Sequence, residues 1–126
     1  MKLQIKPLSD KIGDSIPLPY YATAGAAALD LHACIDEPAV LPAGGAAIPE
    51  GCVGILAVRS SMGIRHGVAM SNGIGIIDSD YRGPLRVGLH NFRDTEYVVE
   101  PGDRIAQLLI LPVLRPEVEV VSELSE

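Results

Sequence analysis

Apolar and polar side chains alternate with period two from the first residue, in Met1-Lys2-Leu3-Gln4-Ile5-Lys6, the pattern of a strand with one face buried. Ten prolines and thirteen glycines cut the rest of the chain into short pieces, and nowhere does an apolar repeat of helical period run for ten residues without a breaker. The pattern predicts strands over residues 3–6, 29–33, 52–58, 67–70, 74–77, 85–90, 96–99, 105–113 and 118–121, with one helical turn over 60–65. Asn72-Gly73, set between Val68-Ala69-Met70 and Ile74-Gly75-Ile76-Ile77, tolerates the positive dihedrals of a tight turn and predicts a hairpin joining those two strands. The fold class is all-β, a sandwich or barrel.

At 126 residues the chain is one domain, 1–126, with no linker, repeat or low-complexity tract. Apolar residues are 48% of it, yet no run nears the roughly 20 needed to span a membrane, so a soluble protein without membrane contact is expected. A small domain this apolar is expected to bury surface against copies of itself. The N-terminus lacks a secretory apolar run, which makes the cytoplasm the default location. Cys34 and Cys52 are then read as packing residues rather than a disulfide, and His32, His66 and His90, without zinc-site spacing, as packing or surface residues. A net charge of −6 opposes binding to a nucleic-acid backbone. All seven arginines lie from Arg59 onward, and arginine forks suit phosphate oxygens.

Four segments carry candidate chemistry. In Ile77-Asp78-Ser79-Asp80-Tyr81-Arg82-Gly83, an acid at the end of an apolar strand can hold and deprotonate a water, although plain turns also favour these residues. Gly75 in the preceding turn region would keep one face clear for a flat ligand read by backbone groups; a plain hairpin is the simpler alternative. Arg59-Ser60-Ser61 closes another apolar run with a guanidinium and two hydroxyls, either an anion cradle or an ordinary helix cap. Gln107 places an amide inside the most apolar strand and needs a partner in the core or on a ligand.

Taken in order, Ala28-Leu29-Asp30-Leu31-His32-Ala33, Arg59-Ser60-Ser61-Met62-Gly63, the run from Gly75 through Ile76, Ile77, Asp78 and Tyr81 to Gly83, and Gly102-Asp103-Arg104-Ile105-Ala106-Gln107 resemble four of the five motifs of the trimeric dUTPases. The resemblance implies a distorted jelly-roll, or β-clip, barrel, assembled as a homotrimer with active sites at subunit interfaces. The implied reaction is hydrolysis of dUTP to dUMP and pyrophosphate by water attack at the α-phosphorus, which limits uracil incorporation into DNA and supplies dUMP for dTMP synthesis. Asp78 would activate the water. Tyr81 would pack under the deoxyribose and exclude a 2′-hydroxyl. Asn72 with the backbone of Ile76 and Ile77 would bind uracil, and Arg59, Ser60, Ser61, Gln107 and, more weakly, Arg86 would hold phosphates. Mg2+ would be chelated by the triphosphate, with Asp30 steadying its water shell and no direct protein ligand.

The chain departs from the family pattern at Val58, where proline is usual, at Ser61 and Ala28, where glycine is common, and at its end. The family's fifth motif is a glycine-rich C-terminal arm bearing arginine and phenylalanine. Here the sequence closes with Val121-Ser122-Glu123-Leu124-Ser125-Glu126 and its one phenylalanine is Phe92, so substrate binding with reduced turnover is expected. Two other readings are a nucleotide-binding regulatory module with weak or no catalysis, and a deoxycytidine triphosphate deaminase. Against the deaminase, the position of its acid/base glutamate holds Gly88.

Overall fold

The computed structural model describes residues 1–36 and 45–123. Among the described residues eight strands form three antiparallel sheets: β1 (Gln4–Lys6), β2 (Leu29–His32), β3 (Gly45–Ala47), β4 (Cys52–Val58), β5 (Val68–Met70), β6 (Gly75–Ile77), β7 (Leu89–Asn91) and β8 (Arg104–Pro112). The main sheet has the order β2-β8-β4-β6, while β1 pairs with β3 and β5 with β7. A five-residue π-helical turn, Met62–His66, separates β4 from β5. No helix among the described residues is long and apolar enough to cross a membrane.

The main sheet is organised by strand alternation. Leu29 faces Leu108, which faces Leu56; Leu31 faces Ala106, which faces Val58. Their side chains therefore share one face, and Leu31, Leu56, Ala106 and Leu108 join Met62, Met70, Leu85 and Ile105 in the core. Asp30, Gln107 and Ala57 are likewise opposite one another and lie on the other face, together with Val53, Ile55, Leu109, Leu111 and Ile76. That second face is apolar yet incompletely covered, Leu111 and Ile76 being exposed.

Several sequence expectations change. The turn at Asn72-Gly73 forms, with Gly73 at φ 73° and its amide donating to the Met70 carbonyl at 3.0 Å. It does not, however, join paired strands: the Ser71 amide donates to the Gly88 carbonyl at 2.9 Å, extending the β5–β7 pairing, and β6 is taken up by the edge of β4. The turn passes the chain between sheets. Gly67 ends the helical turn at φ 69° and so precedes β5 rather than opening it.

The stretch 85–90 is strand only from Leu89, because Leu85 and Val87 fill the core without a ladder partner. Residues 96–99 are not strand; Tyr97 is anchored by its ring against His66 at 4.8 Å, and Val98 is exposed. Residues 118–121 alternate correctly but pair with no strand among the described residues, and Val118 and Val120 are 85% and 93% exposed. β3, made of glycine and alanine, carried no strand signal. Of the closing segment, residues 124–126 lie outside the described residues.

Candidate active site

The predicted site residues fall into two groups. The first gathers where β2, β8 and β4 meet. Asp30, directly across from Gln107, is buried, and each of its carboxylate oxygens takes a guanidinium: Arg59 Nε lies 3.0 Å from Oδ1, and Arg104 Nη1 lies 3.2 Å from Oδ2. Gln107 donates its side-chain amide to the Val58 carbonyl at 3.2 Å, the partner its place in an apolar strand required, and ties β8 to the residue before Arg59. Ser60 is exposed and Ser61 half-buried. Ser61 stands at the cap of the π-helical turn but makes no side-chain capping bond, so the ordinary cap reading does not apply to it.

Arg104 was not singled out from sequence. A register shift between Leu31 and His32 sets His32 opposite Arg104 and brings that arginine beside Asp30; its place in the fourth motif and at the opening of an apolar strand are the sequence signals that point to it. His32 stacks on Tyr20 with ring centroids 5.6 Å apart, and its Nδ1 is buried without a hydrogen-bond partner among the described residues. Burial holds its pKa below the ordinary value; Asp30 opposes that shift, while Arg104 and Arg59 add to it.

The second group follows β6. Ile77 faces Gly54 and Gly75 faces Leu56, so β6 runs back along β4 and delivers Asp78 at the end remote from Arg59. Asp78, Asn72 and Ile76 are exposed, and Ile77 is half-buried. The Tyr81 amide donates to the Asp78 carbonyl at 3.1 Å, closing a turn that sets the tyrosine beside the acid. Tyr81 donates its hydroxyl to the Pro84 carbonyl at 2.8 Å, and Arg82 Nη1 donates to the carbonyls of Ser79 and Tyr81 at 2.7 and 2.8 Å.

Gly75 is buried, not the open floor for a ligand that its sequence setting suggested: a Cβ there would lie 3.1 Å from Leu56 Cβ, so the glycine lets β6 approach β4. Arg86 is exposed in the segment leading to β7. A cavity of about 280 Å³ opens behind this turn between Arg82-Gly83-Pro84 and β1, away from Asp78 and Arg59.

In one protomer, then, acid and arginine are not neighbours. Six strand positions of about 3.3 Å separate Val53, at the level of Asp78, from Arg59, or roughly 20 Å. The carboxylate at the exit of β6 and the arginine-serine segment belong to opposite ends of one sheet.

The family model for dUTPase matches residues 14–126. The chain belongs to the dUTPase family. Among its relatives, the deoxyuridine 5'-triphosphate nucleotidohydrolase of Idiomarina loihiensis is 44% identical over 99% of this chain and 89% of its own length. The enzyme of the same name from Coxiella burnetii is 44% identical over 96% of this chain and 86% of its own. Among solved structures, the dUTPase of Staphylococcus bacteriophage 80alpha matches with a TM-score of 0.78 at 26% identity, covering 99% of each chain. That of phage phi11 of S. aureus, described with a structural Mg(II) ion, matches with a TM-score of 0.79 at 24% identity over 98% of each chain and attests the fold. The dUTPase family thus accounts for the all-β jelly-roll architecture and for the order of the four motifs along it.

Proposed function

We propose that the chain hydrolyses dUTP to dUMP and pyrophosphate in the cytoplasm, as a homotrimer whose active sites each draw on two protomers. The register of β6 on β4 carries this reading. It leaves Asp78 and Arg59 roughly 20 Å apart, whereas a base and a phosphate clamp serving one triphosphate must both act within hydrogen-bond reach, about 3 Å, of the same substrate. A second copy, docked through the incompletely covered apolar face of Val53, Ile55, Leu109, Leu111 and Ile76, supplies the missing half.

In that composite site, Asp78 of one protomer accepts the proton of a water aimed at the α-phosphorus. Tyr81, fixed by the Pro84 carbonyl, lies under the sugar and leaves no room for a 2′-hydroxyl. The turn at Asn72 and the backbone of Ile76 and Ile77 read the base by its donor and acceptor pattern, which cytosine inverts. Arg59, Ser60, Ser61 and Gln107 of the other protomer hold the phosphates, with Arg86 a weaker contributor.

Magnesium enters as part of the substrate, neutralising the triphosphate and fixing its conformation. Asp30 suits at most a water-mediated contact with it, since both carboxylate oxygens already hold guanidinium groups.

A panel of the deoxynucleoside triphosphates with magnesium tests the reading. Pyrophosphate is expected from dUTP alone, with an Asp78→Asn variant that binds but does not turn over. Ammonia from dCTP, or equal rates for the two proteins, would overturn it.

A further inference from the structure

We propose that Arg104 is a further phosphate-binding residue, held ready by the same buried carboxylate that holds Arg59; the inference rests on the dUTPase reading above. Asp30 has a side chain only 7% exposed, and it sits between two guanidinium groups. Within this cluster of three side chains, one negative charge against two positive ones leaves one unit of positive charge.

A guanidinium has five N–H donors in a rigid fork. Arg59 turns its Nε to Asp30 and Arg104 turns one Nη to it, and among the described residues no hydrogen bond takes up the Nη groups of Arg59 or the Nη2 and Nε of Arg104. The side chain of Arg104 is 43% exposed, more than that of Arg59 at 27%, and because both guanidinium groups rest on one carboxylate, the solvent-accessible part of Arg104 lies close to Arg59. Gln107, on the same strand, spends one amide hydrogen on Val58 and keeps the other. The surplus charge, the free forks and the free amide hydrogen lie at one place, and the complementary ligand is the terminal part of a polyphosphate, which needs several donors fixed at once.

This assigns Arg104 a gradient that a purely structural residue would not produce. Its loss should matter little for a ligand with one phosphate and most for one with three. Calorimetric titrations with deoxyuridine, dUMP, dUDP and α,β-imido dUTP, in magnesium, compare the unmodified protein with R104Q and R104K.

For R104Q, the imido triphosphate is expected to bind about ten- to a hundredfold more weakly, the worth of one charge-assisted hydrogen bond, with deoxyuridine and dUMP affinities nearly unchanged. R104K keeps the charge and the contact with Asp30 but loses the fork, and should show the same gradient at smaller amplitude; it decides the matter should R104Q not fold. A flat profile in the folded variants, whether all four ligands weaken equally or none does, overturns the role of Arg104. Absence of pyrophosphate release from dUTP by the unmodified protein would instead remove the underlying reading.

Discussion

Gly54 and Ile77 face each other across the β4–β6 ladder, and a methyl group added to Gly54 would lie 3.1 Å from the Ile77 Cβ and 2.9 Å from Ile48 Cδ1. The missing side chain is what lets β6, the edge strand that leads into Asp78, seat against the sheet. Ile77 is the residue before the proposed base, so displacement here passes directly to it.

Gly54→Ala should therefore cost about 1–3 kcal/mol of stability, the usual penalty of overpacking, and lower kcat more than it raises KM. Urea denaturation and steady-state pyrophosphate release measure the two effects. A variant with native stability and native kcat would show that β6 is not seated by this contact.

Arg59→Gln and Asp78→Asn disable opposite halves of a site that no single protomer contains. Each homotrimer alone should be nearly inactive. After unfolding and refolding an equal mixture, random assembly gives each site a native Arg59 in half the cases and a native Asp78 in half, so activity should return to about a quarter of the unmodified level. Failure of the mixture to exceed either variant would place both residues in one protomer's site or in none.

The Tyr81 ring owes its position to a glycine. A Cβ on Gly83 would lie 2.6 Å from Tyr81 Cζ, and the tyrosine hydroxyl is tethered to the Pro84 carbonyl at 2.8 Å. Gly83→Ala should push the ring off this seat and reduce the preference for dUTP over UTP, as a ratio of kcat/KM, by about tenfold or more. Competition between the two nucleotides measures it directly; an unchanged ratio would mean that sugar selection does not depend on the ring's pose.

What could be read in advance divides by whether it is local. β4 and β8 are apolar runs too long to be anything but central strands, and their alternation already assigns Leu56 and Leu108 to the core and Gln107 to the other face. The turn at Asn72-Gly73 was legible from dihedral preference, but its flanking strands pair with β7 and β4, which no two-residue signal can specify. Residues 118–121 have the alternation of a strand and, among the described residues, no edge to complete it, whereas the small residues of β3 have an edge in β1 and no pattern. At the site, residue types point to Arg59 and Gln107, whereas Asp30 comes only with the family resemblance. The place of Arg104 depends on a register shift in β2, which only the paired strands display.

His32 yields a prediction in pH. Its ring is packed on Tyr20, its Nδ1 is buried without a partner among the described residues, and burial above all, reinforced by Arg104 and Arg59 against the pull of Asp30, holds its pKa below the ordinary value of about 6.5. The unfolded chain therefore takes up this proton at a higher pH than the folded one does. Stability then falls as pH drops through about 6.5 and continues to fall until the folded-state pKa is reached; above about 6.5 the ring is neutral in both states and contributes no slope.

His32→Phe keeps a ring against Tyr20 and removes the titration. Measured by urea denaturation at pH 7.5 and 5.5, the variant should lose less stability on acidification than the unmodified protein, the carboxylates contributing alike to both. An equal or steeper loss would mean that His32 is protonated in the fold without penalty, and that the two arginines beside Asp30 do not act on its ring.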